Sequence, residues 1–515
     1  MSSSKISKVV ILSVPYCEPN PMVAPVLLAS CLNQAGISAT AIDFNIYLLK
    51  KFNNHPLWPE YKNFLSIGAS STFSFSRTFF KEIIRSTKEF LYRVREDCNP
   101  TVIGLSIFSS ESLDFGLVLS YCIRRYLPDV KIIAGGKGLE VRSIDGEMIC
   151  NTWVKNAVVD TAVVGDAEQS IASVVAGDLF GVVDSPPQTK EDLDTIPLAQ
   201  WGDYNIADYT EFIELRDKTS ADHEFALPIT ASKGCVRKCT FCDVASFWPK
   251  YIYRDPLKVA DEIEFNFRKT GINRFFFTDN LINGSISNYR AMNQHLLTKM
   301  PPKTIKYSGY AIFRGATQMP DEDFELAANA GCSRWHIGVE SGSERIRKEM
   351  KKNFSNCDLD WSVRRLLKYG ISQNWLLMVG YPSETEEDFT ETLKMLREYS
   401  SLASNGMITV QVTPTFMVLQ NSPLIMNPTL SRFYGLDKKQ VLSEFGSKFW
   451  VSSMNPSNDY PTRSRRWKDT INEIINLGYQ FGPSMPISKW VAEVNNLDRI
   501  YEESRIKVFP ILRGN

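Results

Sequence analysis

The chain has 515 residues, enough at about 150 residues per domain for roughly three domains that each bury a core. Hydrophobic residues make up 43% and charged residues 23% of the sequence, which excludes a disordered or fibrous chain. Lys plus Arg and Asp plus Glu number 58 each, so no overall positive charge attracts a nucleic acid. No apolar run approaches about 18 residues, and we expect no membrane span. We therefore expect a cytoplasmic, reducing compartment, where clustered cysteines serve metal binding or catalysis.

Residues 1–182 alternate strand-like and helix-like segments. The predicted strands are 8–14, 38–42, 101–107 and 130–134, and the predicted helices between them include 21–36 and 112–127. This βαβ alternation predicts an α/β fold with a doubly wound, Rossmann-like parallel sheet, whose ligands bind beyond the carboxyl ends of the strands. Residues 183–224 lack sustained periodicity and contain two consecutive prolines, so we predict a linker there.

A second alternating block covers residues 225–425. Its six predicted strands are 225–230, 274–278, 304–312, 334–339, 372–379 and 408–416. Helices begin between them at Asp255-Pro256 and at Thr385, where Asp388 completes a capping-box spacing. Six βα units predict a partial (βα)6 barrel of the TIM type, with chemistry in the loops at the carboxyl ends of the strands. Residues 426–515 predict a smaller helical unit that caps the barrel.

Three cysteines follow the first strand of the second block. Cys235, Cys239 and Cys242 have the spacing C-x3-C-x2-C. A cubane iron–sulfur cluster has four irons, so three thiolates leave one iron open to a substrate. The alternative is a zinc site, which is usually closed by four ligands. His223 is the only nearby histidine and lies twelve residues before Cys235 without zinc-finger spacing, so the sequence favours the cluster.

With an aromatic residue before its third cysteine, the triplet resembles the signature of the radical S-adenosylmethionine (SAM) superfamily. Later strand ends, at 274–280, 337–342 and 378–385, resemble further segments of that family in order. The resemblance implies a [4Fe–4S] cluster on the three cysteines, adenine against Phe241, methionine near Asp279 or Asn280, and ribose or the amino acid portion near Glu340. The residues that it assigns to SAM are Phe241, Asp279, Asn280, Ser308, Arg314, Glu340 and Ser341. For Glu340 an internal salt bridge, to Arg314, is an equal alternative.

Residues 103–114 followed by 132–136 resemble cobalamin-binding domains. The resemblance assigns Ser106 and Ser109 to the dimethylbenzimidazole tail, and Gly135 and Gly136 to close approach of the backbone to the nucleotide. Hydroxyls and bare backbone at strand ends suit a large ligand. None of the four histidines lies in a D-x-H-x-x-G motif, so no histidine of that motif coordinates cobalt here. The alternative is a Rossmann-like domain that holds no cofactor and supports the barrel.

Together these resemblances imply a cobalamin-dependent radical SAM methyltransferase, class B-like, acting on an unactivated carbon of a small molecule or peptide. The reduced cluster would cleave SAM to a 5′-deoxyadenosyl radical that abstracts a hydrogen, and methylcobalamin would supply the methyl group. Such chemistry needs an electron donor such as flavodoxin or ferredoxin, and the protein excludes water from the radical.

Three other functions remain open. One is a radical cyclase or ring-rearranging enzyme of the anaerobic porphyrin-ester cyclase type, and another is a non-catalytic cobalamin and iron–sulfur binding protein. A transfer-RNA methylthiotransferase is disfavoured, because Cys17, Cys31 and Cys98 do not resemble that family's second cluster motif. The basic run from Arg463 to Lys468 predicts a solvated helix start rather than a nucleic-acid site.

Overall fold

The computed structural model describes residues 8–16, 20–67, 76–109, 112–141, 147–213, 225–403, 405–443, 445–482 and 487–508. The chain divides into two compact units. The first comprises Met1–Arg216, Glu224–Ile229 and Phe265–Ile272, and the second comprises Asp217–His223, Thr230–Glu264 and Asn273–Asn515. Within the described ranges, no helix is both long and apolar enough to cross a bilayer.

The first unit is built on a six-stranded parallel sheet. Its strands are β1 (Val9–Ser13), β2 (Ala39–Asp43), β3 (Val102–Ser106), β4 (Lys131–Gly135), β5 (Thr161–Val164) and β6 (Gly181–Asp184). Their order in the sheet is β2-β1-β3-β4-β5-β6, and every pair is parallel. The predicted doubly wound sheet is confirmed, and β5 and β6 are strands that the sequence analysis did not predict. Because the order reverses between β1 and β3, a crevice opens at their carboxyl ends.

Nine α-helices and three 3-10 helices accompany this sheet in the described part of the unit. The α-helices are α1 (Val23–Gln34), α2 (Phe44–Phe52), α3 (Trp58–Ile67), α4 (Arg77–Cys98), α5 (Leu113–Tyr126), α6 (Ile149–Lys155), α7 (Ile171–Ala176), α8 (Lys190–Thr195) and α9 (Ile206–Ile213). The 3-10 helices are Lys137–Glu140, Ala167–Gln169 and Trp201–Asp203. Helices α8 and α9 lie in the stretch predicted to be a linker, where Trp201, Tyr204 and Tyr209 are buried. These aromatic side chains bury far more apolar surface than a solvated linker would.

The second unit contains the barrel strands from β8 onward, whereas β7 falls within the residues of the first unit. The strands of this block are β7 (Leu227–Ile229), β8 (Ser232–Lys233), β9 (Ile252–Tyr253), β10 (Arg274–Phe277), β11 (Lys306–Ala311), β12 (Cys332–Glu340), β13 (Ser372–Leu377), β14 (Ile408–Val412) and β15 (Gln480–Phe481). A seven-stranded sheet has the order β15-β14-β13-β12-β11-β10-β7, with β10 to β15 paired in parallel, and β8 pairs with β9 in antiparallel fashion. All six predicted strands are confirmed, and the fold class is α/β as predicted.

Helices follow the strands of the barrel in turn. They are α10 (Val244–Phe247), α11 (Pro256–Thr270), α12 (Ile286–Lys299), α13 (Asp321–Asn329), α14 (Glu344–Glu349), α15 (Asn356–Lys368), α16 (Glu386–Ala403), α17 (Pro423–Met426), α18 (Pro428–Phe433), α19 (Lys438–Val441), α20 (Gly446–Phe449), α21 (Tyr460–Asn476) and α22 (Ile487–Val508). The Asp255 carboxylate caps α11 by accepting a hydrogen bond from the Leu257 N–H. Thr385 and Asp388 cap α16 reciprocally. Residues 426–515 belong to the same compact unit as the barrel.

The prediction of a solvated basic run at the start of α21 was wrong for Arg463 and Arg466, which are buried together with Trp467. Arg465 and Lys468 are about half exposed, as predicted. The Arg466 guanidinium donates to Glu384 at 2.8 Å and to Glu386 at 3.0 Å. The Arg463 guanidinium lies 3.9 Å from the ring centroid of Trp450, a cation–π contact. The acidic partners of Arg466 lie about 80 residues away in the sequence. The local run of positive charge therefore predicted exposure, whereas the folded chain buries Arg463 and Arg466.

One carboxylate of the first unit is buried beneath α9. Asp43, at the end of β2, caps α2 by accepting the Ile46 N–H and also accepts the Tyr209 hydroxyl. Burial raises the pKa of Asp43 from its usual value near 3.8 to about 6, although these hydrogen bonds act in the opposite direction. Folding therefore favours the protonated acid, and the resulting stabilisation is complete below pH 3.8 and lost as the pH rises through 6.

We expect Asp43→Asn to remove this pH dependence. Between about pH 4 and about pH 7 the wild type should lose roughly 3 kcal/mol of unfolding free energy relative to the variant. Chemical unfolding of both proteins across this range measures the difference. Parallel pH profiles of the two proteins would contradict the assignment.

Candidate active site

The three cysteines lie in one loop, Gly234–Asp243, between β8 and α10; we call it the cluster loop. All three are half-buried and none forms a disulfide. Gly234 has φ +77°, and a Cβ there would lie 2.3 Å from the carbonyl oxygen of Lys250, so the turn into the loop requires glycine. The Arg237 N–H donates to the Cys235 Sγ at 3.3 Å. Within the described ranges, no three His, Cys, Asp or Glu side chains stand together as ligands of a single metal ion.

Thr240 fixes the middle of the cluster loop. Its N–H donates to the Met350 carbonyl oxygen at 3.1 Å, and its own carbonyl oxygen accepts the Leu424 N–H at 2.9 Å. Its buried hydroxyl lies 2.8 Å from the Tyr381 hydroxyl, which in turn donates to Tyr434 at 2.9 Å. The loop is thus tied to α14, α17 and the end of β13. The sequence analysis did not identify Thr240 or Tyr381, because their partners lie about 110 to 180 residues away in the chain.

The Asp279 carboxylate forms hydrogen bonds with the residues just before the cluster loop. It is almost fully buried, and its carboxylate accepts the Ser232 hydroxyl and, at 2.9 Å, the Ala231 N–H. Burial raises the pKa of Asp279 to about 6, while these hydrogen bonds act in the opposite direction. Asn280, the alternative SAM contact, is half-buried at the same strand end. The structure therefore brings Asp279 to the strand that leads into the cysteines.

Glu340 forms a buried ion pair, but with a different partner from the one expected. Its carboxylate lies 2.8 Å from the Lys352 ammonium, and both side chains are 9% exposed. The expected pairing with Arg314 was wrong, since that guanidinium donates to the carbonyl oxygens of Asn283 and Gly284. Glu340 has φ +68°, beside a register shift between β12 and β13, so a bulge re-aims its side chain. Such strain is typical of functional positions.

Lys352 also interacts electrostatically with the cysteines. Burial by itself would lower the pKa of its ammonium, but Glu340, Cys239 and Cys235 raise it. Burial raises the pKa of the Cys239 thiol to about 12, and Lys352 acts in the opposite direction. A thiol must lose its proton to ligate iron, so a cation here favours the ligating form. The sequence analysis missed Lys352 because only the fold brings it to the cluster loop.

The remaining residues assigned to SAM occupy different positions around the barrel. Phe241 is half-buried, with its ring 6.4 Å from that of Phe416. Ser341 is fully buried, and its hydroxyl accepts the Ser343 N–H in the turn after β12. Ser308 is half-buried on β11. Burial lowers the pKa of the Arg314 guanidinium from its usual value. Ser341 therefore shapes its turn, while Phe241 and Ser308 keep some accessible surface.

One face of the barrel sheet is polar. Tyr310, His336, Asn374 and Thr409 are register partners on four consecutive strands. The Asn374 amide nitrogen lies 3.3 Å from His336 Nδ1, and its oxygen accepts the Thr409 hydroxyl at 3.0 Å. Tyr310 is 41% exposed. Because side chains alternate along a strand, this polar row faces the interior of the barrel.

The opposite face of that sheet is apolar. It carries Trp335 and Trp375, whose rings lie 5.8 Å from Phe324 of α13 and 5.4 Å from Tyr399 of α16. Both tryptophans are fully buried. Helices therefore cover the apolar face. In the polar row, His336, Asn374 and Thr409 are buried, and Tyr310 keeps an exposed surface.

In the first unit, the predicted cobalamin contacts gather at the carboxyl ends of β3 and β4. Ser106 and Gly135 are register partners, and Ser109 is half-buried in the following loop. Gly136 has φ +112°, and a Cβ there would lie 2.3 Å from the Ile107 carbonyl oxygen. Contact between the two loops thus explains Gly136 without any ligand. Phe108 is 54% exposed at the same edge.

Comparison with known proteins agrees with this geometry. Residues 229–396 match the family model of the radical SAM superfamily, so this part of the chain is a radical SAM domain. The cofactors of such a domain are a [4Fe–4S] cluster and SAM. Three half-buried thiols in one loop fit that cluster, because thiolate is its usual ligand.

Two curated relatives and one solved protein are similar to the chain. The anaerobic magnesium-protoporphyrin IX monomethyl ester cyclase of Synechocystis sp. is 24% identical over 58% of this chain and 58% of its own length. The cytidylyl-2-hydroxyethylphosphonate methyltransferase of Streptomyces wedmorensis is 27% identical over 37% of this chain and 35% of its own. The matches thus span less than two thirds of these relatives.

The solved protein is the radical SAM methyltransferase TsrM from Kitasatospora setae. It superposes with a TM-score of 0.62 and 14% identity over 91% of this chain and 89% of that one. Another TsrM structure, with cobalamin and a [4Fe–4S] cluster bound, gives a TM-score of 0.58 and 15% identity over 81% of this chain and 77% of that one. This likeness concerns the fold, and it covers nearly the whole chain.

The contribution of the buried ion pair is testable. Lys352→Met should destabilise the protein by about 3–5 kcal/mol, because it leaves the Glu340 carboxylate buried without its counter-charge. Adding Glu340→Gln should recover much of that loss, as a double-mutant cycle in chemical unfolding would measure. Removing the exposed Arg364–Asp360 pair is the control and should change stability far less. Additive effects at Glu340 and Lys352 would contradict the coupling.

Proposed function

We propose that the protein is a cobalamin-dependent radical SAM methyltransferase. The observation that carries the proposal is the set of three thiols in the loop after the first barrel strand, in a chain whose fold resembles TsrM over 91% of its length. The fold likeness extends through the Rossmann-like unit, whose serine hydroxyls and open strand ends suit cobalamin. When bound, the cluster supplies the electron that cleaves SAM, and cobalamin carries the methyl group.

The chain's own residues would hold and orient these groups. Cys235, Cys239 and Cys242 would each ligate one iron, leaving the fourth to SAM. Thr240, through Met350, Leu424 and Tyr381, would keep the thiols in place, since a loop without such ties would not hold a reactive geometry.

Lys352 would interact with the cluster thiolates, and Phe241 would contact the adenosyl portion of SAM. The Lys352 ammonium would balance the negative charge of the thiolates, and Glu340 would hold it there. Phe241 would pack against the adenine through its half-buried ring.

The substrate would contact Tyr310, the exposed member of the polar row, because His336, Asn374 and Thr409 are buried. The Tyr310 phenol can donate or accept a hydrogen bond, so a small molecule or peptide with polar atoms fits better than a hydrocarbon. Cobalamin would meet Ser106 and Ser109 at the ends of β3 and β4. No D-x-H-x-x-G histidine would ligate cobalt, because the sequence contains none.

A radical cyclase is the second candidate, because the Synechocystis relative is named as a cyclase and matches the longer segment. Methyl transfer separates the two. The reduced enzyme with cobalamin and SAM labelled on its methyl group should form labelled methylcobalamin and S-adenosylhomocysteine. Formation of 5′-deoxyadenosine without either product would favour the cyclase, and chromatography with mass detection distinguishes these outcomes.

The catalytic role of the cluster is tested separately. Cys239→Ala should lower cluster-bound iron and SAM cleavage at least tenfold, because the remaining two thiols cannot hold a cubane. Iron and sulfide content, the visible absorption of the cluster and 5′-deoxyadenosine formation measure this under anaerobic conditions. Cys357→Ala, at an exposed cysteine of α15, is the matched control and should keep both. Retention of cluster and cleavage in Cys239→Ala would overturn the proposal.

A further inference from the structure

The cluster loop is flanked by two helical segments that reach the surface. Thr240 hydrogen-bonds to Met350, directly after α14, and to Leu424 of α17. Lys438 of α19 lies close to α17, with its Nζ 3.9 Å from the Met426 Sδ. The loop, the end of α14 and the α17–α19 segment therefore adjoin one another within the second unit.

These segments carry a set of exposed lysines, which we call the basic face. Its members are Lys238 and Lys250 beside the cysteines, Lys348 and Lys351 around Met350, and Lys438 and Lys439 on α19. Lys250, Lys348 and Lys351 form no ion pair with any residue that the structure describes. In a chain with equal numbers of basic and acidic residues, this is a local concentration of positive charge.

Apart from the half-buried Asp243 of the cluster loop, the described acidic residues on the same segments are engaged in local contacts. Glu349 accepts hydrogen bonds from Arg345 and Ser383, and the Asp437 carboxylate caps α19. Glu344 accepts the Asn356 N–H. These local contacts partly neutralise the charge of the carboxylates. The lysines therefore dominate the electrostatic potential of this surface.

Exposed apolar side chains lie among the lysines. Val236, between Cys235 and Cys239, is 39% exposed, and Met426 and Phe433 are 53% and 57% exposed. Apolar contacts within a ring of charge are typical of a protein docking surface, whereas a nucleic-acid site would present stacked aromatic rings along a basic groove. The loop itself is accessible at Val236 and Lys238, so a partner docked here comes close to the thiols.

We propose that the basic face is the docking surface of an acidic one-electron carrier protein that reduces the cluster. The inference rests on the proposed function, which requires an electron from outside the chain. The carrier loses one electron from its reduced flavin or iron–sulfur centre, and the cluster gains it, passing from the 2+ to the 1+ state. Complementary charge accelerates such an encounter, and a small interface suffices because the complex must separate after transfer.

The test compares two reductants in SAM cleavage without added substrate. One is a photoreduced flavodoxin, which is acidic, and the other is reduced methyl viologen, a small cation that needs no docking surface. Lys348→Glu with Lys439→Glu reverses two charges of the face outside the cluster loop. We expect kcat/KM for flavodoxin to fall at least tenfold, and the viologen-driven rate to stay within about twofold of wild type. Lys348→Gln with Lys439→Gln should give an intermediate loss.

The matched control is Lys303→Glu with Lys306→Glu. These exposed lysines lie at the amino end of β11, at the opposite edge of the sheet from the cluster loop. The control should keep wild-type kinetics with flavodoxin. Equal losses in both charge-reversed proteins, or none in either, would overturn the docking proposal.

Two further outcomes separate this proposal from its rivals. Absence of SAM cleavage with viologen in a wild type that holds its cluster would refute the proposed function, whatever flavodoxin does. Loss of binding to a transfer-RNA pool in Lys348→Glu with Lys439→Glu, with flavodoxin kinetics unchanged, would assign the face to a polyanion and overturn the carrier proposal. The viologen rate and iron content also show whether each variant is folded.

Discussion

The structure depends on holding a short, irregular loop against the carboxyl end of a barrel. Three thiols within eight residues cannot fold against one another by themselves, because the loop has no regular secondary structure between β8 and α10. Its shape is set by backbone hydrogen bonds from Met350 and Leu424 and by the Tyr381 hydroxyl, all converging on Thr240. Each partner belongs to a different part of the second unit. The geometry of the three cysteines therefore depends on three separate segments of the second unit.

Two buried ion pairs lie in the second unit. The Glu340–Lys352 pair lies in the interior, where desolvation would be costly for either group alone, and its ammonium interacts with the thiols of the cluster loop. Arg466 and Glu384 form a similar pair between α21 and the turn after β13. The first pair joins the end of β12 to the turn after α14, and the second joins α21 to the turn after β13. Residues 426–515 belong to the same compact unit as the barrel.

The two faces of the barrel sheet differ in polarity. Trp335 and Trp375 pack against outer helices, while His336, one residue after Trp335, and Asn374, one residue before Trp375, lie on the opposite face of the sheet. A shift of one residue in strand register would exchange these roles, so the apolar face fixes where the polar row points. On the surface, the lysines around the cluster loop set this edge apart from the rest of a chain without net charge.

The sequence by itself determined the alternation of strands and helices, the six barrel strands and the cysteine triplet, because hydrophobic period, helix caps and ligand spacing are local properties. It also contained the glycine at position 234 and the capping pair of Thr385 and Asp388. It did not indicate that Lys352 approaches Cys239, that Tyr381 bonds to Thr240, or that Arg463 and Arg466 are buried. For Glu340 it offered an ion pair with Arg314 as one of two equal alternatives, whereas the partner in the structure is Lys352. It treated residues 183–224 as a linker, and Trp201, Tyr204 and Tyr209 of that stretch are buried. Only the tertiary structure decided these points, because each depends on a contact between residues far apart in the chain, and burial and charge pairing are properties of such contacts.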